Sequence, residues 1–507
     1  MGENNNQLNQ NRKASVYHRI YHALQEDHTL PINFELEEKD NKETLRFAPG
    51  ALEGIFGHHT SGNKEENKLY DFLLERINCK PEIVMEELES SDLVSNETVI
   101  SDGLIKQIYE NKELFSADSL YHMAYSFILD GTKEYTVKLG LSLLALFDID
   151  DDPKLKEKLI NLAMWEGFTD YVLQITHSWT DKNHAYFQLA KRLNGWGKIN
   201  AVECLEPETD EIKEWILCEG CKNSIMYSYL ALICAEKCDL YHVLKTRNLT
   251  LQEFNGTRDI IDGLLEEGPC DGISVIENAY ELLFMFVSQY EKFKLNIEDI
   301  NLLDSIQDYV KEDDDRDQTW EERINEKIDS YISQNDIKSS ILSALYEKKQ
   351  WYAIQVARKY KIDISNEYLE QLRKDFDAYV NYIYYLFGIN KYVEEAVKIC
   401  EDHLEYEKVA AGMGKQLGVG RTEHWSIDMV VQYLDAYPYH GAKLIKASIN
   451  SPITRYRNMA AKALEGWKLK LNMSLSEIST ELYHEIQEVY PIEVDDKLKE
   501  RWRLLLQ

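Results

Sequence analysis

From residue 64 to the end, the chain spaces its apolar residues at the period of 3.6 that marks helices, in short stretches separated by turns. Proline numbers only 9 and glycine 23, so little interrupts that period, and an all-α fold is expected. Between Lys154 and Ala163, Leu155, Leu159 and Leu162 form one stripe while Lys154, Lys156, Glu157 and Lys158 face away. Pro153 suits the first turn of that outer, amphipathic helix. The preceding stretch, TVKLGLSLLALF, is apolar on every face, and Gly140 lets a neighbouring backbone come close, so it reads as an inner helix held between others. An outer and an inner helix in succession make one repeating pair.

Further stripes fall at Val393, Val397, Cys400 and Leu404, and at Ile478, Leu482, Ile486 and Val489. Tyr352, Val356, Ala357 and Arg358 are echoed by Tyr392, Ala396, Val397 and Lys398 at an offset of 40 residues, near the period of HEAT and armadillo repeats. One globular core could not bury so many short helices, whereas a stack can, so a right-handed α-solenoid of HEAT-like helix pairs is expected.

Two segments depart from the pattern. Ile32, Phe34 and Leu36 alternate with Asn33 and Glu35, and Leu45 and Phe47 alternate again after KDNK, which reads as a small N-terminal β-hairpin. The run from Lys311 to Asp317, KEDDDRD, has no apolar anchor and reads as a linker. The expected organisation is an N-terminal helix, hairpin and Gly/His-rich loop over 1–63, a first helical array over 64–310 and a second over 318–507.

Charge narrows the partners. In 507 residues, 57 Lys and Arg face 89 Asp and Glu, a formal charge of −32, which repels nucleic-acid backbones and anionic membranes and favours neutral or basic partners. The start, MGENNNQLNQNRK, has no apolar run behind its basic pair, and the most apolar stretch, Leu139 to Phe147, is too short to cross a bilayer. Eight cysteines do not make a disulfide scaffold at this length, so reduced thiols in the cytoplasm are expected.

Several patterns carry possible chemistry. Cys218 and Cys221 form C-x-x-C, with Cys234 and Cys238 following at a spacing that suits a four-thiolate zinc site; Cys234 continues an apolar helix face, which makes core thiols the expectation. His18 and His22 stand four apart on a helix, and His58 or His59 could add a third ligand beside an acid, but solvated histidines are expected there, with no metal. His484 and Glu485 open an H-E-x-x pattern that Glu488 ends without its second His. Asp148, Asp150 and Asp152 have the spacing of a calcium loop, yet Pro153 and Leu159 replace its Gly and Glu, leaving a helix-capping role.

Gly412 and Gly414, with Lys415 and Arg421, offer the one loop where an anion such as a cofactor phosphate could meet free N–H groups. Gln416 stands where a Walker loop needs Ser or Thr and Leu417 where a dinucleotide fingerprint needs Gly, so a loop between repeats is expected. In FAPGALEGIFGHH, Gly50, Gly54 and Gly57 expose backbone beside Phe47, Phe56, His58 and His59. That stretch suits an apolar ligand or a peptide, or else a cap over the first helix pair. Neither a G-x-S-x-G elbow nor a kinase signature occurs.

At FAPGALEGIFGHHTSGN, and again at NSPITRYRNMAAKALEGW, the chain resembles a group of bacillus-type bacterial proteins labelled limonene hydroxylase, over its whole length. The resemblance implies oxygenation of the monoterpene limonene at allylic carbons to carveol or perillyl alcohol, with NAD(P)H as donor, and NAD-linked oxidation of those alcohols. Neither stretch holds a catalytic motif, so it transfers no catalytic residue. Attack of O₂ on an unactivated C–H bond calls for haem, flavin or iron, and the sequence signals none. An apolar pocket built from 32 Tyr and 15 Phe suits such a substrate. The alternative expectation is a non-enzymatic, acidic HEAT-like scaffold that binds a protein partner.

Overall fold

The computed structural model describes residues 14–36, 48–52, 64–93, 102–268, 270–312, 318–418 and 420–507. The fold is all-α: among the described residues there is no strand, and one isolated parallel bridge joins Gln416 to Ile453. No helix among them is long and apolar enough to cross a membrane. The described residues form two compact units, one from those within 14–36, 48–293 and 309–324, the other from those within 294–308 and 325–507. Of the charged run at Lys311 to Asp317, residues 313–317 lie outside the described residues.

In the first unit the inner helix Glu134–Leu144 is buried at every position from Tyr135 to Leu144. It packs on Ala117–Asp130 and Glu166–Thr176, and Gly140 is where the first of these comes closest. A Cβ there would sit 2.8 Å from the Phe127 Cβ and 3.0 Å from the Ala124 carbonyl. Lys138 lies in this buried run and is tolerated because Glu134, one turn back, pairs with it at 3.3 Å.

The following helix, Pro153–Leu162, carries proline at its start, and Asp152 caps it by accepting the backbone N–H groups of Lys154 and Leu155 at 3.1 and 3.0 Å. Asp148 accepts the Asp150 N–H at 3.0 Å, and Asp150 pairs with Lys156, so the three acids order a capping loop. Leu155, Leu159 and Leu162 are at most 1 % exposed, each stabilising by about 2 kcal/mol through burial. The helix Val16–Ala23 packs on Ala117–Asp130 and Pro153–Leu162, which ties the N-terminal segment into this unit.

The first arm of the expected hairpin is not a strand. Ile32 to Leu36 forms turns, with the Phe34 N–H donating to the Pro31 carbonyl at 2.9 Å, and the second arm at Leu45 and Phe47 lies outside the described residues. The alternation had a different cause: Leu36 is buried and Phe34 packs edge-on to Trp165 at 5.9 Å, while Ile32 is fully exposed.

In the second unit, Val393–Asp402 buries Val393, Val397 and Cys400 of its stripe, together with Ala396, while Leu404 lies past the helix end and is half-buried. The stripe from Ile478 to Val489 is also buried but is split between two helices, Leu475–Ile478 and Thr480–Val489. Ser479 is extended at φ −153°, and its hydroxyl accepts the Leu482 N–H at 3.3 Å to start the second helix. Behind them Arg457 and Glu493, both with fully buried side chains, form a bidentate pair with N···O distances of 2.9 Å. Trp502 adds its indole N–H to the same carboxylate at 3.2 Å.

Candidate functional site

A cleft of 410 Å³ opens in the first unit where the turn Thr29–Phe34 and the turn at Ala48 and Pro49 meet three inter-helix junctions. The junctions are Met164–Glu166 ahead of the helix Glu166–Thr176, Arg192–Gly195 between Lys182–Arg192 and Trp196–Cys204, and Ser224–Ile225 ahead of Ser228–Lys237. Leu30, Pro31, Phe34, Met164, Trp165, Leu193 and Ile225 make most of the wall apolar, and Glu166, Arg192, Asn194 and Ser224 supply the polar groups. Its volume lies in the small-molecule range, and an apolar wall with a few polar groups is the usual make-up of such sites.

Glu166 holds the cleft together. Its Oε1 accepts the N–H groups of Gly195 at 2.7 Å and Asn194 at 3.2 Å, and its Oε2 accepts that of Gly197 at 3.1 Å. These donors lie at the start of the helix Trp196–Cys204, where backbone N–H groups lack partners within the helix, so a carboxylate from another helix takes the place of a local cap. A side chain at Gly195 would collide with this carboxylate. Gly50, at φ +78°, lets the turn after Pro49 press on the same junction, because a Cβ there would stand 2.7 Å from the Glu166 carbonyl and 3.1 Å from the Trp196 Cβ.

Of the glycine-rich stretch read as a site or a cap, Ala48 and Pro49 therefore line the cleft and Gly50 braces it. Phe47, Gly54, Phe56, Gly57, His58 and His59 lie outside the described residues. His18 and His22 sit on one exposed face of Val16–Ala23 with ring centroids 4.1 Å apart. Among the described residues no three His, Cys, Asp or Glu side chains converge as a metal site.

The four clustered cysteines are buried core thiols. Cys221 Sγ donates to the Tyr227 and Asp259 carbonyls, Cys238 to the Ala235 carbonyl, and Cys218 lies against Glu214. Burial pushes the thiols of Cys218 and Cys234 up to about 12 and raises those of Cys221 and Cys238, which disfavours the thiolate that a metal or a nucleophilic role needs. Cys218 belongs to a π-helical turn, Ile216–Gly220, against which Gly256 of Leu251–Leu265 packs so closely that a side chain there would collide.

Gly412, Gly414, Lys415 and Arg421 lie on one loop of the second unit. Its backbone turns toward its own neighbours: the Gly412 N–H donates to the Asn450 carbonyl at 3.0 Å and that of Gln416 to the Pro452 carbonyl at 3.1 Å. Gly414 sits against Pro452, Arg421 faces Glu423 at 3.4 Å, and Lys415 is exposed. The short helix before the loop is Tyr406–Val409 and the next a single turn at Thr422–His424, so the strand-to-helix cradle of a dinucleotide is not formed there.

Sequence reasoning did not single out Trp165, Glu166, Arg192 or Asn194. The one available signal was the pair Gly195 and Gly197 in LNGWGK, at the start of a helix with no Ser, Thr or Asp to cap it. Comparison of the chain with protein-family models, with curated proteins and with solved structures finds no match in any of the three.

Proposed function

We propose that the Trp165–Glu166 cleft binds a small apolar molecule, and that the protein is a limonene-oxidising enzyme acting there. The observation that carries the reading is the cleft itself: 410 Å³, walled by Phe34, Trp165, Leu193 and Ile225, and bordered by Ala48 and Pro49 of a stretch that carries the resemblance to limonene hydroxylases. Hydroxylation consumes limonene, O₂, NAD(P)H and a proton and yields an allylic alcohol, NAD(P)⁺ and water. The Gly412–Arg421 loop does not fit the implied dinucleotide, since the N–H groups of Gly412 and Gln416 donate to the Asn450 and Pro452 carbonyls and no strand-to-helix cradle surrounds it, so no step is derived through the dinucleotide. What the chain contributes is a largely apolar cleft edged by a few polar groups.

Eight free thiols, five of them buried, support work in a reducing compartment, the cytoplasm. Incubation of the purified protein with limonene, NADPH and O₂, followed by gas chromatography and mass spectrometry, should yield carveol or perillyl alcohol. Absence of product, together with absence of limonene binding by calorimetry, refutes the proposal.

A second reading, an acidic HEAT-like scaffold for a basic protein, draws support from the charge of −32 and from helices such as Val393–Asp402, whose Glu394 and Glu395 face water. Packing of Glu166–Thr176 on its near neighbours in sequence, Glu134–Leu144, Pro153–Leu162 and Trp196–Cys204, supports a solenoid of helix pairs. Capture of a basic partner at low salt and its release at high salt tests this; capture that ignores ionic strength contradicts it.

A further inference from the structure

Resting on the reading of the cleft as a site for small apolar molecules, we propose that it also takes the oxidised, anionic form of such a ligand: a hydrocarbon skeleton of monoterpene size that ends in a carboxylate held by Arg192. Arg192 is the last residue of the helix Lys182–Arg192, is half-buried, and lines the cleft. Its guanidinium makes no hydrogen bond or ion pair among the described residues, although the chain carries 89 acids to 57 bases. Elsewhere guanidiniums find partners readily, as Arg457 does in Glu493, Arg501 in Glu465 and Arg503 in Glu500.

The acid that shares the cleft with Arg192 is Glu166, and its two oxygens are committed to the N–H groups of Asn194, Gly195 and Gly197. Those three donors, at the positive end of the helix Trp196–Cys204, offset the carboxylate's charge and hold it away from the guanidinium. The cleft therefore presents one uncommitted cation at the edge of an apolar wall that includes Leu193 and Ile225. A half-buried guanidinium offers a planar fork of donors to a carboxylate, and a charged hydrogen bond of this kind contributes far more than the same group gains from a hydroxyl. A wholly apolar ligand fills the wall and leaves the fork to water; a ligand with a terminal carboxylate uses both.

The test compares two ligands that share a ten-carbon skeleton, perillyl alcohol and the carboxylate perillate, by calorimetry at neutral pH on the full chain. The wild type should bind perillate about tenfold more tightly than the alcohol. The ratio should fall toward one in Arg192→Met, which keeps the apolar stem, and should stand between the two in Arg192→Lys. Equal affinities in the wild type, or a preference that persists in Arg192→Met, overturns the inference. Binding of the alcohol without preference for the carboxylate leaves the cleft reading standing and removes only the role of Arg192. Failure of both ligands to bind the wild type removes the two together.

Discussion

Replacement of Glu166 by alanine tests the cleft most directly, because one carboxylate serves three backbone donors. Removing it leaves the N–H groups of Asn194, Gly195 and Gly197 without the acceptor that now stands at 3.2, 2.7 and 3.1 Å. Each such bond contributes about 1 kcal/mol net, and bonds to a charged group somewhat more. Glu166 is half-buried, so water replaces part of what is lost and the expected destabilisation of the first unit is about 2–3 kcal/mol.

Glu166→Gln should cost about half as much, since the amide oxygen can still serve Asn194 and Gly195 while its NH₂ opposes the Gly197 N–H. Urea unfolding followed by circular dichroism gives the global change. Hydrogen exchange in a peptide spanning residues 192–200 gives the local one, which should quicken at least tenfold, with Glu157→Ala, on an exposed face, as the control. A loss below about 1 kcal/mol in Glu166→Ala, with exchange at Gly195 and Gly197 unchanged, would show that the carboxylate does not hold the cleft.

Gly140→Leu should lower the melting temperature through overpacking of about 1–3 kcal/mol or more, since its Cβ already meets Phe127 Cβ at 2.8 Å; an unchanged melt contradicts the close approach. Arg457→Met should cost about 3–5 kcal/mol by leaving Glu493 charged and buried, and Arg457→Met with Glu493→Leu should recover much of it; no recovery in the double variant argues against a charge effect. Burial opposes ionisation of Glu493, but the hydrogen bonds from Arg457, the Asp495 backbone and Trp502 outweigh it and hold the carboxyl below its usual range. The stability it contributes is therefore present above a pH of about 4.3 and is lost as pH falls through its lowered value, which acid unfolding of wild type and Glu493→Gln would measure. Exposed Cys79 should react with a thiol reagent in the native protein, while Cys218 and Cys234, held protonated with values near 12, should react only on unfolding; fast native labelling of either buried thiol refutes that assignment.

Much of the helical architecture could be read from residue order. The capping acids at Asp148, Asp150 and Asp152, the outer stripe of Leu155, Leu159 and Leu162 and the inner run around Gly140 all stand as their spacing implies. Each depends on residues within a few turns of one another, where the period of the helix makes burial a local property. The misreading arose where two local patterns look alike. Alternation at Ile32, Phe34 and Leu36 suits a strand, but here it comes from a turn whose Phe34 and Leu36 face inward. The stripe at Ile478, Leu482, Ile486 and Val489 is buried as its spacing implies, although Ser479 divides it between two helices.

The site was scarcely legible, for a related reason. Glu166 meets its three donors across 28 to 31 residues of chain, and five separate segments close the cleft. Residue order by itself determined an acidic, all-α chain of short amphipathic helices, because the helical period and the scarcity of proline act locally. Only the tertiary structure decided that a carboxylate from one helix caps another, that Gly50 and Gly195 let the junctions approach, and that Arg192 is left uncommitted beside an apolar wall. Those outcomes depend on which helix ends are brought together, and no single segment encodes that.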